Sequence, residues 1–154
     1  MEIGLKNGYP ASAVSNLQPH QFTIDGIMCN SMEGFLQSLK FKDINMQIEV
    51  CKLVGMVAKR KGANKKWKDT QTLYWQGQPY KRNSKEYQLL LDRAYDQLYE
   101  NSSFKKALLA TNNSTLKHSI GKIKITDTVI TRKEFCSRLY TLRTRAQKEK
   151  TNVK

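Results

Sequence analysis

The chain has 154 residues, 39% of them apolar, enough for one domain with one core. Lys and Arg number 27 against 13 Asp and Glu, a net +14 that predicts attraction to polyanions such as nucleic acid or phosphorylated ligands. No apolar run is long enough for a membrane span, MEIGLKNGYP lacks a signal-peptide core, and Cys29, Cys51 and Cys136 follow no zinc or disulfide spacing. A cytoplasmic protein without membrane, metal or cofactor is the expectation.

In chain order, Gln21–Cys29 places apolar residues on both sides of Asp25-Gly26, a strong two-residue hairpin signal. The stretch 30–41, NSMEGFLQSLKF, reads as an amphipathic helix with Met32, Phe35, Leu36 and Leu39 on its apolar face. Glu33, Gln37 and Lys40 share a second row at i, i+4, i+7. That row is either a solvated flank or a site. Asn30 with Glu33 reads as a capping box, which alone would account for the glutamate. A second helix is expected from after Asp43 to about Lys61, stopped by Gly62.

Residues 59–68, KRKGANKKWK, hold six basic residues with Trp67 embedded among them. Arg60, Lys65 and Lys66 could hold a pyrophosphate or a nucleic-acid backbone, and an interleaved aromatic can stack on a base. Residues 72–80, TLYWQGQPY, read as strand-like aromatics around a turn. Tyr74 and Trp75 are either core or a base sandwich. The clearest helix is capped by Asn83 and Glu86 and carries Tyr87, Leu90, Leu91, Ala94 and Leu98 to Asn101. A short helix with Phe104, Leu108 and Leu109 follows Ser102. Ile123, Ile125, Val129 and Ile130 suggest a small extended piece. The last helix opens on a Thr131/Glu134 box, buries Phe135, Leu139 and Leu142, and is basic on its other face. Beyond Ala146 a charged tail, 147–154, is expected to loosen. The pattern is α+β and predominantly helical: about five helices with a few short strands, domain 1–146. It contains no Rossmann or P-loop glycine pattern, nucleophile elbow, HExxH or EF-hand loop.

Ser15-Asn16, the hairpin, and the helix Ser31-Met-Glu33-Gly-Phe-Leu-Gln37-Ser-Leu-Lys40-Phe41 together resemble the NADAR (YbiA-like) family. Its signature is an early Ser-Asn, a hairpin, and a helix close to Thr-x-Glu-His-Tyr-Phe-Gln-Ala-x-Lys-Phe. Ala107–Thr111, Leu116-Lys-His118 and Leu139–Arg143 match later family blocks loosely, so the similarity runs from about Gly8 to Arg145. The resemblance implies an N-glycosidase that cleaves between ribose C1 and a nitrogen and needs no cofactor. The substrate it implies is ADP-ribosylated guanine in DNA or RNA, with free ADP-ribose as product. A riboflavin-pathway ribosylamine, or ligand binding without turnover, are the alternatives. A stand-alone chain of this kind suits an antitoxin-like repair enzyme carried by a phage, with no obligate protein partner. The resemblance maps the family's glutamate to Glu33 and its lysine to Lys40, and aligns Trp75 with a middle-region tryptophan. Gly34 stands where the family has His, and the stretch 119–129 lacks the usual Trp-Gly-Asp-Gly, leaving Asp127 nearest to its aspartate.

Glycosidic C–N cleavage passes through an oxocarbenium-like state that a carboxylate can stabilise, or for which it can activate water; Glu33 is such a group. Lys40 could instead attack C1 if burial keeps its amine neutral. Ser15 and Asn16 could donate to a phosphate or ribose or simply shape a turn, and His118 could face a ligand or sit in a loop.

Overall fold

The computed structural model describes residues 1–152; Val153 and Lys154, the end of the expected tail, lie outside the described residues. Strand β1 (Phe22–Ile24) pairs antiparallel with β2 (Ile27–Cys29) around Asp25-Gly26, whose φ values of 49° and 78° are those a tight hairpin requires. Helix α1 (Met32–Ser38) follows at once. Its cap is Ser31, whose Oγ accepts from Gly34 N at 3.0 Å, and not Asn30. The expected Asn30/Glu33 box is therefore not formed. Asn30 instead donates through Nδ2 to Lys52 O at 2.7 Å, and the Glu33 carboxylate is left for other contacts.

The single helix expected over 44–61 is two. Helix α2 (Ile44–Cys51) and helix α3 (Gly55–Lys61) meet at an elbow where Gly55 has φ +57°. The break follows from competition for carbonyls. Asn30 N, Asn30 Nδ2 and Ser31 Oγ donate to Cys51 O, Lys52 O and Leu53 O, so the start of α1 satisfies the end of α2. Gly34 lies against that elbow: a Cβ there would sit 2.7 Å from Leu53 O and 3.0 Å from Val50 O. The close approach explains why a glycine stands where the NADAR pattern has histidine.

Short helix α4 (Trp67–Thr70) leads into β3 (Thr72–Trp75), which pairs antiparallel with β4 (Gln78–Lys81) across Gln76-Gly77. The two hairpins form separate two-stranded sheets. Helix α5 (Lys85–Tyr99) buries Tyr87, Leu90, Leu91, Ala94, Tyr95, Leu98 and Tyr99. Ser84, not Asn83, caps it, accepting from Tyr87 N at 3.1 Å. Helix α6 (Ser102–Ala110) is capped by Asn101, and helix α7 (Arg132–Asn152) by the expected reciprocal pair, with Thr131 N donating to Glu134 and Glu134 N to Thr131 Oγ1. Helix α7 continues through Asn152, six residues beyond the expected end at Ala146. Glu149 holds it there by accepting from Tyr99 OH at 2.7 Å.

No strand forms at 123–130. A single 3-10 turn at Ile125–Asp127 is followed by chain whose carbonyls go to side chains, Thr128 O to Arg82 Nε and Val129 O to Tyr87 OH. Arg82 is itself buried and paired with Glu134 through both terminal guanidinium nitrogens. The architecture is α+β and mostly helical, with seven α-helices among the described residues. No described helix is long and apolar enough to cross a membrane.

Candidate active site

Helix α1 is held at both ends. At its C-terminal end Gln47 Nε2 donates to Ser38 O at 3.1 Å and Tyr74 O at 2.7 Å, and Tyr74 N donates to Leu39 O at 2.8 Å. Carbonyls that a helix end leaves open are thus taken by α2 and β3. Lys40 lies just past the helix, not on it. Backbone bonds from Leu39, Lys40 and Phe41 to Leu36, Gln37 and Ser38 tighten the last turn to i→i−3.

A cavity of about 310 Å³ opens beside α1. Glu33, Gln37 and Lys40 line it from α1 and the turn after it; Ser15 and Asn16 come from the N-terminal loop. His118 and Asp127 face it from the long segment between α6 and α7, Lys65 from the basic loop and Trp67 from the start of α4. The solvated-flank reading of the first helix is therefore set aside.

Within the cavity Gln37 Nε2 donates to Glu33 Oε1 at 2.8 Å, and Glu33 N donates to Asn16 O at 2.9 Å. Burial pushes the Glu33 carboxyl above its ordinary value, and the Gln37 amide, Lys59 and Lys40 only partly offset it. Burial pulls the Lys40 amine down to about 8, against the attraction of Glu33 and with help from Lys68 and Lys122. Lys40 Nζ donates to Gly62 O at 2.5 Å. Gly62 must lack a side chain, because a Cβ there would fall 1.9 Å from Gln37 Oε1. That oxygen is buried with no hydrogen-bond partner among the described residues. Asn16 Oδ1 accepts from Tyr95 OH at 2.7 Å, which turns its amide nitrogen away from the tyrosine. Burial lowers the His118 pKa, and its ring packs edge-on to Phe135 at 5.0 Å.

Four candidates lie elsewhere. Trp75 is core: it meets Phe35 edge-on at 5.0 Å and donates from Nε1 to Asp25 Oδ2 at 2.8 Å. Arg60 lines a different hollow, with Met46, Val50 and Val57, because one residue along α3 rotates the side chain about 100° from Lys59. Lys66 is exposed and outside the cavity lining, as is half-buried Tyr74. In their place the cavity has Lys59, Lys68, Lys122 and Trp67. Trp67 was visible in the sequence as an aromatic inside a basic run; the lysines carried no periodic signal. Five lysines, Lys40, Lys59, Lys65, Lys68 and Lys122, face two carboxylates, Glu33 and Asp127. The arrangement can hold an anion and present a carboxyl and a weakly basic amine to it. Among the described residues no cluster of His, Cys, Asp or Glu could hold a metal ion.

The fold is similar to that of the Escherichia coli protein YbiA, solved by NMR, with TM-score 0.59 over 94% of this chain and 83% of that one at 19% identity. The likeness supports a NADAR-like fold. The sequence is 35% identical over 146 residues to the protein described as an uncharacterized 17.1 kDa protein in the Gp30–rIII intergenic region of Enterobacteria phage T4, covering 93% of this chain and 96% of that one. The family described as bacteriophage protein GP30.3 matches residues 8–144, and the chain belongs to it.

Proposed function

We propose that this protein is an N-glycosidase that hydrolyses the bond between ribose C1 and a guanine nitrogen, releasing ADP-ribose from ADP-ribosylated nucleic acid. The reading is supported above all by one observation: the carboxyl of half-buried Glu33, with a raised pKa, and an amine lowered to about 8 share a lysine-rimmed cavity. A carboxyl and an amine so tuned can exchange protons near neutral pH.

In this reaction the neutral Lys40 amine attacks C1, and the C1–N bond breaks with its electron pair passing to guanine. Glu33 takes the proton from the new C1 ammonium and passes it to the departing nitrogen. The ribose ring opens to an imine on Lys40, the amine N–H proton passing to the ring oxygen. Water adds to C1 as Glu33 moves its proton to the imine nitrogen; the hydroxyl proton then passes to that nitrogen, the neutral Lys40 amine leaves, and the free sugar closes. The net change is one water consumed. Gln37 orients the Glu33 carboxylate, and Lys59, Lys65, Lys68 and Lys122 attract the diphosphate. Ser15, Asn16 and His118 supply further polar contacts. In an infected host such an enzyme would reverse a toxin's modification of the genome, an antitoxin-like or counter-defence role.

The test is release of ADP-ribose from an ADP-ribosylated oligonucleotide. Wild type should release it, and Glu33→Gln should slow release by roughly 10²–10⁴-fold. No release by wild type, or full release by the variant, would refute the assignment. The modest cavity would also admit a riboflavin-pathway ribosylamine. Turnover of that free compound, with none on the oligonucleotide, would favour the second reading.

A further inference from the structure

The segment 117–124, KHSIGKIK, carries the two most exposed large hydrophobic side chains among the described residues, Ile120 at 75% and Ile123 at 73%. Lys117, Lys122 and Lys124 alternate with them, and the segment holds no acidic residue. Apolar side chains presented between lysines match the two parts of a nucleic-acid strand, its stacked bases and its phosphates.

The loop is anchored. His118 O accepts from Gly121 N at 2.9 Å, and Lys122 O accepts from Arg132 N at 3.0 Å. Gly121 O accepts from Arg132 Nε, and Ser119 donates from N and Oγ to the Glu2 carboxylate at 3.2 and 2.5 Å. A Cβ at Gly121 would meet His118 Cδ2 at 2.5 Å and Arg132 Cγ at 3.0 Å, so the turn is packed down on both side chains. The isoleucines are therefore held out from a fixed backbone. Their branched Cβ restricts χ1, so little side-chain freedom is lost on insertion. Ile120, Gly121 and Lys122 also line the cavity that holds Glu33 and Lys40.

We propose that Ile120 and Ile123 form a wedge that enters the base stack of duplex DNA beside the guanine whose attached ADP-ribose occupies the cavity; this rests on the nucleic-acid reading above. The scissile C1–N bond lies at the guanine itself, so bringing that bond into a walled cavity draws the guanine out of the stack. The space it vacates is filled most favourably by an apolar side chain, while lysines hold the flanking phosphates.

Permanganate oxidation of thymines placed on either side of guanine in a duplex tests the proposal, because unstacked thymine reacts far faster than stacked thymine. Wild type should make a flanking thymine reactive, with modified or unmodified guanine, and Ile120→Ser/Ile123→Ser should abolish this. Ile123→Ser alone, at the wedge residue outside the cavity lining, should also release ADP-ribose from the modified duplex at least tenfold more slowly, while hydrolysing ADP-ribosylated guanosine as wild type does. Ile120→Leu/Ile123→Leu should retain both activities. A footprint with no ADP-ribose released by wild type would sink the glycosidase reading and leave the wedge standing. The wedge is overturned by any of four results: no footprint with wild type, an unchanged footprint with the double serine variant, equal loss on the mononucleoside, or binding to anionic vesicles in preference to DNA.

Discussion

Glu33 and Lys40 titrate in opposite senses, and each shift yields a measurement. In the proposed reaction Lys40 must be neutral to attack, so turnover should rise about tenfold per pH unit below about 8 and level off above it. Borohydride added during turnover should fix a sugar adduct on Lys40, detectable by mass; Lys40→Arg, never neutral in this range, should give neither turnover nor adduct. Glu33 has a folded pKa above its ordinary 4.5. Just above pH 4.5 the folded chain keeps a proton that the unfolded chain has lost, so stability falls as pH rises through that window. Glu33→Gln removes this fall, and the variant's melting temperature should gain on wild type between pH 4 and pH 7. The sequence could show Glu33, Gln37 and Lys40 as one row because spacing along a helix is local information. It could not show that Trp75 is tied to Asp25, fifty residues away, nor that Lys59 and Lys122 reach the same cavity. Those placements depend on tertiary packing, and exposed lysines leave no periodic trace.

Helix α1 is only seven residues long, too short to be stable alone, so its neighbours must hold it. They do so through backbone groups: the elbow between α2 and α3 at one end, Gln47 and Tyr74 at the other. Gly34→Ala should force α1 off the elbow, since the three nearest atoms are backbone carbonyls that cannot rotate away. Overpacking of this kind costs about 1–3 kcal/mol, a drop of several degrees in melting temperature with loss of turnover. The elbow itself was hidden in the sequence because Ile44, Ile48, Cys51, Val54 and Ala58 keep an acceptable helical rhythm across it. Competition for carbonyls, which periodicity does not report, ended α2. The cap of α7 was legible because both halves of its box are local, whereas those of α1 and α5 each formed one residue later than expected.

The net charge of +14 is unevenly available. Much of the basic face of α7 is occupied internally. Arg143 is buried and donates to Thr111 Oγ1 and Ser114 O, and Arg138 pairs with Asp92 and Gln88. Arg145 lies over the Tyr99 ring and against Glu149, and Arg132 holds the Gly121 turn. The arginines of that face are thus largely structural, and under the proposed function the lysines around the cavity are left to attract the nucleic acid. Binding to unmodified DNA should weaken with salt, and Lys122→Gln should reduce the slope of log K against log salt by about 1. Lys133→Gln, on an exposed position of α7 outside the cavity, should leave the slope unchanged.

The chain has two tryptophans, Trp67 in the cavity wall and Trp75 in the core against Phe35. Their separation makes the molecule its own pair of optical probes. In Trp75→Phe, quenching of the remaining indole emission on adding ADP-ribose should report occupancy of the cavity alone. In Trp67→Phe, emission should ignore the ligand and change only when the core comes apart.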